Sequence, residues 1–296
     1  MYRQTKSSKR SERVKEACNA IDGHLAELAD QMRQGKSDAL ICYLEFTAQF
    51  HQYSFRNIML AFSQRSNLTR LAGLRQWNKL GRRVRAGEKG IMILAPMSVR
   101  KKDAGESEEE TEATAVTFFR PVHVFDVSQT EGDPLPSLVH STGDVEAIVP
   151  ALEKAVCDSN ITLEFVEGIP GNLGVCGASF GGRIMVRSDL GTSEIFRTLA
   201  HEFAHEKLHW VGQKEDKTVR ETEADATAYV VCRHFGVKTD TSDYLLLYDA
   251  TPKVLLERLE TIRNTADSII RAIGNHLAEQ TKTEQLCGVM EGGGHE

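Results

Sequence analysis

RTLAHEFAHEKLHW, residues 197–210, is the stretch that decides how the second half of this chain folds. Apolar residues recur at helical spacing, and Thr192 or Ser193 can cap a helix that runs to about Trp210. His201 and His205 stand four residues apart, so a helix puts both imidazoles on one face. Two imidazoles so placed can meet one divalent ion, and Glu202, beside the first, can hold a water on that ion as general base. The ion would lower the pKa of that water toward about 7.

Such a site needs a third protein ligand, and RETEADATAYVVCRHF, residues 220–235, supplies one on a second helix. Glu221 and Asp225 share a face at i, i+4. Glu223, two positions on, lies roughly 200° around that helix, so only one of the two glutamates can face the metal, and Asp225 favours Glu221. The E-x-x-A-D arrangement is similar to that of gluzincin-type metallopeptidases. That resemblance implies Glu221 as the metal ligand and Asp225 as the brace of a histidine. His209 is about 12 Å along the axis from His201 and cannot join the ligands at about 2 Å. It is expected as a wall of the cleft or a capped surface residue. Tyr229 can polarise a carbonyl or fill the core, and the sequence leaves both open. Zinc is the expected ion for two histidines and a glutamate, and manganese is compatible with the carboxylate. An intact Glu202 argues against a purely structural metal, which needs no base.

Outward from this core, the sequence predicts a helix at about 143–157, a strand at 161–166, and two short strands within 174–187 turned by Gly181 and Gly182. That hairpin is either the rim of a peptide-binding cleft or an ordinary structural hairpin. A long amphipathic helix opens at Pro252 and reaches about Leu277. Upstream, helices are expected at 10–34, 38–51, 54–65 and 73–80, a strand at 90–96, and β-structure over 115–126. DAGESEEETEATA, residues 103–115, reads as a solvated acidic loop between two strands. EGDPLPS, residues 131–137, has the composition of a linker. The expected organisation is two α+β domains, 1–135 and 136–296, each folding by itself.

Charge divides the same way. Residues 1–102 carry 20 Lys+Arg against 8 Asp+Glu, and the remainder carries 16 against 34. A basic half suits a polyanion. Within it, aromatics alternate with cations: Tyr53, Phe55, Arg56, Trp77 and Lys79, then Arg82, Arg83, Arg85 and Lys89 in the glycine-rich run GRRVRAGEKG. Cations on phosphates and aromatic faces on bases hold single-stranded nucleic acid, so these nine residues are the candidate DNA-binding set. No helix-turn-helix or zinc-finger spacing suggests base-specific readout. The six cysteines are scattered without a C-x-x-C pair, which fits a reducing compartment. No apolar run is long enough for a bilayer, and the N-terminus has charge without an apolar core behind it, so a cytoplasmic protein is expected.

YSFRNIMLA, QWNKLGRRVRAGEKGIMILAP and VFDVSQTEGDPLP together resemble the N-terminal domain of the ArdC antirestriction family. HEFAHEKLH and ETEADATAY resemble the ImmA/IrrE branch of zincin metallopeptidases. The resemblance implies a plasmid- or phage-type protein that binds single-stranded DNA, protects incoming DNA from host restriction, and carries a zincin-like second domain. The paired P-W dipeptides usual near the family's N-terminus are absent. The sequence is also compatible with two further readings: a metalloprotease acting on a host or regulatory protein and localised by its DNA domain, and a single-strand-binding protein with a non-proteolytic metal site.

Overall fold

The computed structural model describes residues 2–34, 37–99, 116–135, 145–171, 174–209, 216–238 and 252–291. The protein is α+β, and its contacts divide it into two compact units: Met1–Ala26 with Arg56–Leu135, and Glu27–Phe55 with Pro136–Glu296. A single cut at 135 therefore does not separate them. Helix α1 (Tyr2–Arg33) contributes to both, and α2 (Ser37–Phe50) belongs to the second. The reason lies in the composition of α2: SDALICYLEFTAQF carries two acids and no base. A helix so apolar must be covered on much of its circumference. The cover is α7 (Lys217–His234), where His234 Nδ1 lies 2.8 Å from the Ala48 carbonyl and Arg233 donates to Glu45 at 2.8 Å.

The first unit is built on α3 (Phe55–Gln64), whose residues from Arg56 onward lie in it, and on two small sheets. β1 (Leu71–Ala72), β4 (Val116–Asp126) and β3 (Ile91–Val99) form one antiparallel sheet in the order β1-β4-β3. After the short helix α4 (Leu74–Lys79), β2 (Arg82–Val84) pairs with β5 (Thr130–Gly132) as a separate ribbon. The segment expected as a linker thus begins as a strand. Its glycine is required: a Cβ on Gly132 would meet the Gly81 carbonyl oxygen at 2.3 Å. The acidic segment 103–115 lies outside the described residues.

The exposed edge of β3 is capped by α3. Asn57 and Gln64, two turns apart on one helix face, each use an amide side chain as a strand would use its backbone. Asn57 bonds both the N–H and the carbonyl of Leu94, and Gln64 both those of Met92, at 2.8–2.9 Å. An unpaired edge is an aggregation template, and this pairing removes it. Asp126, fully buried, closes the other end of the sheet. Its carboxylate accepts from the backbone N–H groups of Thr69, Arg70 and Ser128, while Gln129 returns a bond to the Asp126 N–H. The distinctive VFDVSQTEG run is therefore a backbone clamp.

The second unit places α5 (Val145–Cys157), α6 (Thr192–Leu208), α7 and α8 (Pro252–Glu291) with a mixed sheet of β6 (Thr162–Val166), β8 (Arg183–Arg187) and β7 (Gly177–Ser179). β6 runs parallel to β8, and β7 pairs antiparallel with β8 as the free edge. α6 is central, touching α5, α7, α8 and the sheet. Phe196, Leu199 and Phe203 are fully buried along it, each contributing roughly 1.5–3 kcal/mol. This packing fixes the helix that carries the histidines. α8 continues well past the expected end at Leu277. No helix among the described residues is long and apolar enough to cross a membrane.

Candidate functional site

The polar face of α6 opens on a cleft of about 810 Å³ whose lining includes His201, Glu202, His205, Glu221, Asp225 and Tyr229. His201 and His205 turn their Nε2 atoms toward each other at 3.0 Å. Glu221 Oε2, from α7, stands 3.5 Å from the first and 3.4 Å from the second. Four ligands arranged tetrahedrally at about 2.0–2.1 Å from an ion are separated by about 3.3 Å, so these three atoms match one face of a tetrahedral site. The set combines borderline imidazole nitrogens with a hard carboxylate, a donor chemistry that suits zinc or manganese. Asp225 Oδ1 lies 2.8 Å from His201 Nδ1 and holds that ring from behind.

Charge in the triad is tightly coupled. Burial opposes a proton on His201, but Asp225 and Glu221 outweigh it and raise the pKa to about 10. Burial and then the His201 charge push His205 down to about 4. The hydrogen bond from His201, followed by both histidine charges, holds Glu221 at about 2. Near neutral pH the pair of imidazoles thus carries a single positive charge, on His201, whose extra proton an incoming cation would displace.

Glu202 is buried beside this triangle. Burial raises its pKa to about 7 against the lowering pull of His201, and it accepts a hydrogen bond from the Ser179 N–H on β7. One turn on, Glu206 accepts from the N–H groups of Gly181 and Gly182 at 2.8 and 2.7 Å. Both glycines adopt positive φ in the β7–β8 turn. Two glutamates of one helix therefore pin the hairpin across the cleft, a function of Glu206 that the sequence alone did not suggest. Tyr229 bonds Glu45 through its hydroxyl at 3.3 Å, and burial raises its pKa to about 12. His209 corrects an expectation: its side chain is 3% exposed and it is absent from the cleft lining. It bonds His205 Nδ1 at 3.1 Å and Glu223 at 3.1 Å. It is the C-cap of α6, one helical turn on from His205, and its ring stands beside that of His205 with 5.3 Å between centroids.

In the first half of the chain, residues 12–125 match the family described as the N-terminal domain of anti-restriction factor ArdC. This segment is similar to the ArdC N-terminal domain. Over a longer span the chain is 24% identical to an uncharacterized protein of Bacillus anthracis, across 79% of this chain and 47% of the relative. The chain therefore spans about half the length of that relative. Crystal structures of the antirestriction ArdC protein from the R388 plasmid, metal-free and Mn(II)-bound, align with 74% of this chain and with 85% and 84% of theirs. Their TM-scores are 0.44 and 0.45, with 18% and 17% identity.

The DNA-binding candidates differ in what the fold does with them. Phe55 and Trp77 are buried in the core, and the Trp77 Nε1–H donates to the Phe125 carbonyl, so neither offers a face to a base. Arg82 is a strand clamp, donating to Thr130, Gly132 and Asp133, and Arg85 donates to Ser128 and Glu88. Tyr53 is half-buried near Phe50. Arg56, Lys79, Arg83 and Lys89 are exposed. Sequence spacing overcounted because an aromatic in a helix reads alike whether it faces core or solvent.

Proposed function

We propose that this chain is an antirestriction protein that binds single-stranded DNA through the exposed cations of its ArdC domain and carries a hydrolytic divalent-metal centre of gluzincin type. The observation that carries the metal reading is the triangle of His201 Nε2, His205 Nε2 and Glu221 Oε2, with Asp225 behind His201. A divalent ion held there supplies Lewis acidity, bringing the pKa of water toward about 7. Glu202, poised near 7 in a buried position, accepts the proton of the attacking water and returns it to the leaving amine. The two imidazoles and Glu221 supply the ligands, and Asp225 orients His201.

The substrate class we infer is an extended polypeptide. β7 is an edge strand on the cleft wall, and the backbone groups of its outer side that the Ser179–Glu202 bond leaves over can add a peptide by strand pairing. This observation equally favours the reading in which the protein is first a protease of a host or regulatory protein, with the ArdC domain bringing it to DNA. Metal analysis of purified protein, fluorescence titration with single strands, and a proteomic search for cleaved peptides with wild type and Glu202→Gln test the three parts separately. Stoichiometric metal and single-strand binding without any Glu202-dependent cleavage would leave a non-proteolytic metal site.

A further inference from the structure

The hydrogen bonds behind His205 form a chain that ends on α8. His205 Nδ1 lies 3.1 Å from His209 Nδ1, His209 Nε2 lies 3.1 Å from Glu223 Oε2, and Glu223 Oε1 accepts from Arg258 at 2.7 Å. The side chains of His209 and Glu223 are 3% and 8% exposed. We propose that His209 and Glu223 are positioning residues that fix the tautomer of His205 and leave its Nε2 bare for the metal. The inference rests on the metal reading of His201, His205 and Glu221.

An ionised carboxylate only accepts, so Glu223, held between His209 and Arg258, demands a proton on His209 Nε2. With its one ring proton placed on Nε2, His209 offers a lone pair at Nδ1. That lone pair demands a proton on His205 Nδ1, which leaves the lone pair of His205 on Nε2, the atom turned toward His201 and Glu221. The opposite assignment would place the bare Nε2 of His209 against a carboxylate oxygen, two lone pairs at 3.1 Å. On the other arm, Asp225 makes the same demand of His201 in a single step. The two histidines are thus served by unlike devices: a direct carboxylate for one, and a carboxylate acting through a second imidazole for the other. Outer partners of this kind are worth about 10–100-fold in metal affinity.

The experiment compares full-length wild type with His209→Leu, His209→Gln and Glu223→Gln. Zinc affinity is read by competition with a chromophoric chelator, and the His205 tautomer by long-range ¹H–¹⁵N spectra of histidine-labelled metal-free protein. A glutamine at 209 can accept from His205 and donate to Glu223, whereas leucine only fills the space. The expected result is an affinity loss of about 10–100-fold for His209→Leu, a smaller loss for His209→Gln, and a His205 that is Nδ1-protonated in wild type and mixed in His209→Leu. Glu223→Gln, the gentler change, should shift the same tautomer signal. A folded His209→Leu that binds zinc as tightly as His209→Gln, or an Nε2-protonated His205 in wild type, overturns the proposal. Failure of wild type to bind zinc or manganese, or undiminished binding by Glu221→Ala, instead overturns the metal reading, and the tautomer spectra still decide the inference.

Discussion

Gly177 and Thr198 stand so close that a Cβ on the glycine would meet Thr198 Cγ2 at 2.5 Å. The same Cβ would lie 3.1 Å from Glu202 Cγ. β7 thereby rides directly on α6, near enough for Ser179 to donate its N–H to Glu202. Thr198 is buried and branched, so it cannot swing away cheaply. Gly177→Ala should cost about 1–3 kcal/mol of stability in urea melts and lower any hydrolytic rate, while metal stoichiometry stays at wild-type level. Unchanged stability would show that the strand relaxes off the helix at no cost.

Metal content should separate the acidic residues around the site. Glu221→Ala removes a ligand and should abolish stoichiometric binding. Glu202→Gln should retain the metal and lose hydrolysis, since the carboxylate stands beside the triangle rather than in it. Glu223→Ala strands Arg258 and His209 and should mainly destabilise the fold, by about 3–5 kcal/mol. Loss of metal with Glu223→Ala but not with Glu221→Ala, measured by atomic emission, would invert the assignment.

Proton linkage follows from the raised His201 and lowered His205. A histidine with folded pKa near 10 is protonated across the neutral range, and its contribution to metal-free stability, full below about 6.5, fades as pH rises through 10. His205 acts in the opposite sense, its contribution being lost as pH falls from 6.5 through about 4. Metal must displace the His201 proton. Calorimetry at pH 7.5 in buffers of different ionisation enthalpy should report release of about one proton per ion, and affinity should rise about tenfold per pH unit between 6.5 and 9. Binding that releases no proton would show that His201 is already neutral.

Single-strand binding should depend on the exposed cations and not on the buried aromatics. Reversing Lys79, Arg83 and Lys89 to Glu removes three contacts and should reduce the log–log salt slope by about 2 units. Trp77→Ala should instead destabilise the unit by about 3–5 kcal/mol. Affinity for single strands that is insensitive to the triple reversal, in filter binding at matched salt, would place the interface elsewhere.

A fragment of residues 1–135 should behave poorly, contrary to the division suggested by composition. It keeps α2 but loses α7 and α8, leaving Leu44, Phe46 and Phe50 without the unit in which they are buried. Its circular dichroism should show less helix than the intact segment contains, and it should self-associate in ultracentrifugation. A monomeric fragment with full helicity would restore a boundary at 135.

By itself the sequence determined what repeats at short range. The i, i+4 spacings of His201 with His205 and of Glu221 with Asp225 determine shared helix faces, because 3.6 residues per turn is fixed by the backbone. The paired glycines at 181 and 182 likewise announce a turn. Tertiary structure alone decided what depends on facing partners. It buried Phe55 and Trp77, turned Arg82 into a strand clamp, and packed α2 onto α7. It also brought Glu223 of α7 against His209, a contact between residues 14 apart that no helical period contains. The side of a residue that meets solvent is set by what packs against it. A linear pattern records only that a residue could be covered, and the energy of burial is realised only where another element arrives to cover it.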